Sequence, residues 1–293
     1  MSKHIFSMII FSFGYTVYGQ ISQEDSNKVV FDYDFMPAVN DDIQISTIAL
    51  GVNYISELKK GKLINSFEVE STTINYERFF DFSMSSLDNI YKLNYQLGYQ
   101  YSLSETIDII SEVEMSLVSN FENNSISVDD FLIGGSFMMT KEIMHSTAKS
   151  ILKLGVTYNT FLGKPKLLPL FSYEMQVNNR LSFGIGFPES YLQYSLNKRS
   201  LIEYKFEYGG MYANITDAYN LDLNTAISHA EFSSKEMSLS YKYNMDEYWS
   251  ISFDVGYTLD YNYSLYHDND TKVFEFDTAP KPVIKTGIIY KLK

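Results

Sequence analysis

From Trp249 to Leu265 every second residue is apolar: Trp249, Ile251, Phe253, Val255, Tyr257, Leu259, Tyr261, Tyr263 and Leu265 alternate with small, polar or acidic residues. A period of two belongs to an extended chain whose side chains point alternately to opposite faces, and no 3.6-residue helical period fits it. The same pattern runs through 91–103, 171–178 and 202–209. At about 3.3 Å per residue, the 91–103 stretch is about 43 Å long, whereas strands in soluble domains usually hold about 5–6 residues. That excess length needs a cause outside an ordinary core.

The links between such segments fall into two kinds. Short ones are KKGK at 59–62, LSET at 103–106, MHST at 144–147, VNNR at 177–180, NKRS at 197–200 and MDEY at 245–248. Longer or more polar ones start at 80, 122, 216 and 267, and the two kinds alternate, with Pro188–Glu189 a short exception. The pattern predicts strands over 28–36, 43–57, 63–78, 90–103, 106–121, 130–143, 149–161, 167–178, 181–187, 190–196, 200–212, 228–244, 248–266 and 282–292. That is about 14 strands. Twelve is the alternative count, because segments nine and ten are short and the apolar face changes parity across 33–60.

Charge follows the alternation. The outward positions are nearly free of charge. The inward ones carry Glu112, Glu114, Glu174, Glu203, Lys205, Glu207, Lys242, Asp254 and Asp260, together with Glu68, Glu70, Lys92, Asp108 and Lys285. Since Lys or Arg at a bilayer midplane costs about 2–4 kcal/mol, this segregation predicts that one face meets lipid. No stretch past the N-terminus approaches the ~20 apolar residues of a spanning helix, and closed barrels are the other structure that satisfies its backbone in hydrocarbon. The expectation is therefore an all-β, transmembrane, antiparallel up-and-down barrel with short periplasmic turns, long external loops and both termini periplasmic. A soluble β-sandwich or exported β-solenoid would show the same alternation over shorter strands.

Composition sharpens this picture. The chain has 293 residues with 25 Tyr, 21 Phe, one Trp and no Cys, and tyrosines near segment ends suit interfacial girdles. Its opening, MSKHIFSMIIFSFGYTVYGQ, runs basic, apolar, then small, which predicts a signal peptide over 1–19 and a barrel domain over 20–293. Loss of Lys3 takes the formal charge from -13 to -14. Such an acidic chain is not suited to nucleic acid. The partners it implies are outer-membrane lipid and, during biogenesis, the barrel-insertion machinery.

The final strand, Ile284, Thr286, Ile288, Tyr290 and Leu292 ending in GIIYKLK, resembles the terminal signal of outer-membrane barrels. With the signal ending YGQ, GFPESYLQY from 186 and GGMYANI from 209, the chain resembles an uncharacterised family of outer-membrane β-barrel proteins from Bacteroidota. The resemblance implies location in the outer membrane of a Gram-negative bacterium, and the barrel fold. It implies no catalytic residues.

Chemistry is sparse. His145 falls in a predicted turn and His267 opens a loop, while His229 follows Ser228 and is expected to point to the opposite face, as a surface histidine. Asp268 and Asp270 in HDNDTK are weak metal candidates that lack the Gly and distant Glu of a calcium loop. The paired glycines at 134–135 and 209–210 suit bulges or close approach, not phosphate. No cofactor and no enzyme activity are expected. With ten acids to four lysines among the inward positions, the expected function is a passive pore or uptake channel for small solutes with a net acidic lumen. The alternatives are a non-channel scaffold acting through its external loops and, last, a rim enzyme.

Overall fold

A computed structural model describes residues 27–39, 43–77, 85–122, 126–145, 148–220 and 226–292. The signal peptide expected over 1–19 lies outside them. The strands are β1 (Lys28–Met36), β2 (Ile43–Leu58), β3 (Gly61–Tyr76), β4 (Asn89–Ser102), β5 (Ile107–Ser119), β6 (Phe131–Met144), β7 (Lys149–Asn159), β8 (Lys166–Gln176), β9 (Leu181–Phe187), β10 (Glu189–Ser195), β11 (Ser200–Asn220), β12 (Ala226–Asn244), β13 (Trp249–Tyr266), β14 (Lys272–Glu275) and β15 (Pro282–Lys291). Each is antiparallel to the next around the wall, β13 pairs with β15, and β15 pairs with β1. Fourteen strands thus form a closed antiparallel barrel, and β14 is a short flap on the end of β13. The sequence pattern had placed β14 inside a loop, and had ended β11 at 212.

At one end the links are two to four residues long, and the described chain ends meet there, Lys28 opposite Lys291. Four of these turns use one device. Ser104, Asn178, Asn197 and Asp246 each accept two backbone N–H groups from residues two and three positions on, as Asp246 does from Tyr248 at 2.8 Å and Trp249 at 2.7 Å. Such side-chain acceptors replace a backbone turn bond and set where the strand reverses. The other end carries the longer connections.

Over most of the wall, apolar side chains face out. On β4, Tyr91, Leu93, Leu97 and Tyr99 are exposed while Lys92, Asn94, Gln96 and Gln100 are buried inside. The outward set continues through Leu50 and Val52, Val113 and Met115, Phe137, Val156, Phe171, Phe253 and Val255. A continuous apolar belt of this extent on a closed barrel calls for lipid.

The alternation reverses on the loop side of β13. Opposite β12 the register steps from Glu236↔Thr258 to Lys235↔Asp260, so Leu259 is a bulged residue. One extra residue exchanges the two faces for everything beyond it. Below the bulge Ser252, Asp254 and Thr258 point inward, and above it Tyr261, Tyr263 and Leu265 do. The unbroken apolar face expected from Trp249 to Leu265 therefore changes sides near Leu259. Asp260, expected in the lumen, stands outside and pairs with Lys235 Nζ at 2.7 Å.

These inward residues belong to an apolar cluster that fills the loop end of the barrel. It joins Ile43, Ile74, Ile90 and Val118 from β2 to β5, Ala213, Ile227, Phe232 and Tyr263 from β11 to β13, and Leu87 and Phe276 from the connections. The ring of Tyr263 stacks on Phe232 and on Phe276, each at 4.1 Å, and its hydroxyl meets that of Tyr76 at 2.8 Å. Strand β11 reaches into the mouth because its neighbour stops: β10 begins at Glu189, opposite Glu207, and leaves the rest of that edge of β11 bare. The free length instead forms a parallel pair with β5, Asn214↔Ser119, although five strands separate the two along the wall. The β7–β8 link packs against Gly210, where any Cβ would collide with the Thr160 carbonyl oxygen.

Candidate functional site in the barrel lumen

Beneath the apolar cluster lies a cavity of about 170 Å³. Its walls are of two kinds. On the loop side Met36, Ile45, Met211, Phe232 and Tyr261 line it, and toward the barrel centre the lining is carboxylate-rich. Two ion-pair groups order that charged layer. Lys285 Nζ bridges Glu207 Oε1 at 3.1 Å and Glu236 Oε1 at 2.9 Å, and Lys205 Nζ holds Glu207 Oε2 at 2.9 Å. Lys92 Nζ lies 3.2 Å from Glu68 Oε1 and 3.8 Å from Glu70 Oε2. The strand pattern brings these groups together: inward positions two apart on one strand, and cross-strand partners such as Glu70↔Lys92 and Asp254↔Lys285, share one level of the wall.

Among the residues expected in the lumen, Glu112, Glu203, Lys205, Glu207, Lys242 and Asp254 are buried inside. Glu112 accepts from Ser136, Glu203 from Gln193 Nε2 at 2.5 Å, and Asp254 from Ser240. Glu114 accepts from Ser116 at 3.4 Å, and Glu174 pairs with Lys153 at 2.6 Å. Asp260 is the exception described above. The sequence reading passed over three carboxylates that line the cavity, Asp32, Asp34 and Glu236. Alternation could have found them, since Asp32 and Asp34 interleave with Phe31, Tyr33 and Phe35, and Glu236 shares parity with Ser238, Ser240 and Lys242. It also passed over Lys281, which is fully buried in the β13–β15 connection and donates from Nζ to the Ile43 carbonyl at 2.6 Å.

The rim residues differ from expectation. His229 is not a surface histidine: it is 3% exposed and lies between the rings of Tyr212 and Tyr266, at 4.6 and 5.1 Å. Nor does adjacency separate it from Ser228, whose Oγ is 3.0 Å from His229 Nδ1 and also 3.3 Å from the Tyr266 carbonyl. His229 Nε2 is 3.7 Å from Asp270 and 3.9 Å from Glu231. Among the described residues, no group of three or more His, Cys, Asp or Glu is arranged to hold a metal, and Asp268 and Asp270 join none.

The inward-drawn part of β11 is tied to the β5–β6 connection. Asn214 Nδ2 donates to Asp130 Oδ1 at 2.7 Å, and Ser127 N donates to Asp130 Oδ2 at 2.6 Å. Burial would raise the Asp130 carboxyl, but the hydrogen bonds from Asn214 and Ser127 outweigh it and hold it below the usual range.

A family described as a domain of unknown function, DUF6268, matches residues 81–291. No curated protein matches the chain. Among solved structures, an outer membrane channel from Pseudomonas putida F1 is 7% identical, with a TM-score of 0.47 over 91% of this chain and 96% of that one. The NanC porin is 9% identical with a TM-score of 0.41, over 91% and 100%. Outer membrane phospholipase A from Escherichia coli is 10% identical with a TM-score of 0.38, over 91% and 90%. At such identities the likeness is one of fold alone.

Proposed function

The chain belongs to the DUF6268 family, described as a domain of unknown function, and from its geometry we propose that it is an integral outer-membrane barrel that passes small solutes passively. The observation that carries this reading is the acid-rich cavity inside a closed barrel whose outer belt is apolar. Seven carboxylates line that cavity against one lysine, Lys285, so cations are the preferred solutes. The short turns at one end and longer links at the other support periplasmic termini. The apolar cluster at the loop end is the closed state, and the Asn214–Asp130 hydrogen bond helps to hold it shut.

Planar-bilayer recording of the wild type and of Asn214→Ala tests the reading. A hydrogen bond to a charged group contributes about 1.5–3 kcal/mol, so its loss should raise the open fraction by roughly ten-fold or more. Discrete steps selective for potassium over chloride are expected, rare in the wild type and frequent in the variant. A correctly folded, heat-modifiable barrel that stays silent in both forms would overturn the channel reading. It would favour a non-conducting scaffold whose external loops meet partners, which the sealed loop end also suits.

A further inference from the structure

Within the cavity, the two walls ask for one ligand with two ends. We infer that it binds a small amphipathic organic cation, an ammonium group on an apolar body, with the ammonium toward Asp32, Asp34 and Asp254 and the body against Met211, Phe232 and Tyr261. The inference rests on the proposed solute role of the lumen and names its solute class.

The charge balance comes first. Glu68 and Glu70 are met by Lys92, and Glu207 and Glu236 by Lys205 and Lys285. Asp32, Asp34 and Asp254 also line the cavity; among the described residues none has a lysine within 4.0 Å, and Lys28, Lys285 and Lys205 act on them only from farther away. A carboxylate away from bulk water is costly unless paired or well hydrogen-bonded. Among the described residues Asp254 accepts from Ser240, and the Asp32 carboxylate lies beside Gly287, whose missing side chain leaves it room. A cation entering here would meet acceptors that the barrel's own lysines reach only from beyond ion-pair distance.

The apolar wall then selects among cations. A hydrated metal ion gains nothing from Met211 and Phe232, whereas an apolar body gains about 25 cal/mol for each Å² it removes from water. The ring of Tyr261 already faces one cation, Lys281 Nζ at 5.2 Å, which shows an aromatic face of this lining meeting positive charge. The cavity is small, and by the measure of about 10–15 Å³ per water it holds on the order of ten waters. One aromatic ring with a short aminoalkyl chain fills such a space.

Calorimetry on the detergent-folded full chain tests this with three isosteric probes: 2-phenylethylamine, 2-phenylethanol and phenylacetate. The amine should bind at least ten-fold more tightly than the alcohol, and phenylacetate should not bind measurably. Asp32→Asn with Asp34→Asn should abolish the preference of amine over alcohol, with barrel folding checked by heat-modifiable mobility. Equal binding of amine and alcohol, absence of amine binding to the wild type, or a preference that survives the double substitution would each overturn the inference. If the double variant does not fold, the wild-type comparison decides alone. The measurement needs no conduction, so a silent bilayer with selective amine binding removes the channel reading and keeps this one. Conduction without amine preference does the reverse.

Discussion

The two halves of the barrel use the same alternation in opposite senses. In the half nearer the tight turns, Phe253 and Val255 face outward and Ser252 and Asp254 face the lumen, while in the loop-end half of the same strand Tyr261, Tyr263 and Leu265 face inward. The difference follows the solvent. Where the outside is hydrocarbon, apolar side chains are most stable outside and polar groups must be satisfied within. Where the outside is water, the apolar face turns in, as in any soluble domain. On β13 a single bulged residue, Leu259, makes the exchange, whereas on β3 the inward positions keep one parity and pass from Glu68 and Glu70 to Ile74; the exposed Lys235–Asp260 pair marks the level at which charge becomes tolerable on the outer surface.

Placing a charge inside the loop-end cluster is the most severe way to break this contrast. Tyr263→Asp removes a fully buried ring that stacks on Phe232 and Phe276 and leaves a carboxylate among apolar side chains. Losing a buried aromatic side chain costs about 3–5 kcal/mol and the unpaired charge adds to it, so the loop-end cluster should not survive. Amide hydrogen exchange is expected to show lost protection in the loop-end parts of β11 to β13, with the β4–β6 wall still protected. Unchanged protection above residue 259 would mean that the cluster does not depend on Tyr263.

A smaller effect is expected from the charged half. Lys285 bridges Glu207 and Glu236, and removing one partner of a buried ionic group costs about 3–5 kcal/mol because it strands the other charge. Lys285→Met should lower the temperature at which the barrel loses its compact gel mobility, and Glu236→Gln in the same chain should restore part of the loss. If Glu236→Gln lowers it further, the two groups do not act as a pair.

Much of this fold was legible in the sequence because a membrane barrel wall repeats one rule. Outward positions are apolar and strands are long, so the alternation located fourteen segments to within a few residues for most ends. What it hid was the loop end. An apolar residue at alternate positions reads the same whether it meets lipid or a packed core, so Tyr263 offered no sign of facing inward. The short β9–β10 pair was legible, but nothing in the sequence announced that β11 would run on past it to reach β5. The lumen charges were legible as a set, but their partners were not: that Lys285 meets Glu207, 78 residues away, depends on strands distant in sequence. His229 was misplaced because the rings of Tyr212 and Tyr266, on the two neighbouring strands, cover it, and cross-strand register is not written in the local pattern.

The smallest effect belongs to the tight turns, at the end of the barrel away from the apolar cluster. Asp246 accepts the N–H groups of Trp249 and Tyr248, and these bonds hold its carboxyl below the usual range. A carboxyl depressed in the folded state stabilises above its unfolded value, near about pH 3.9, and that contribution is lost as pH falls through the lower folded value. Exchange of the Tyr248 and Trp249 amides should therefore stay slower than the intrinsic rate through neutral and mildly acidic pH, and lose that protection only in stronger acid. Asp246→Asn keeps an oxygen acceptor in the same place and removes the titration, so its exchange profile should lose the acidic step while the turn remains. An acidic step of equal size in Asp246→Asn would assign it to another group and leave Asp246 a purely geometric role.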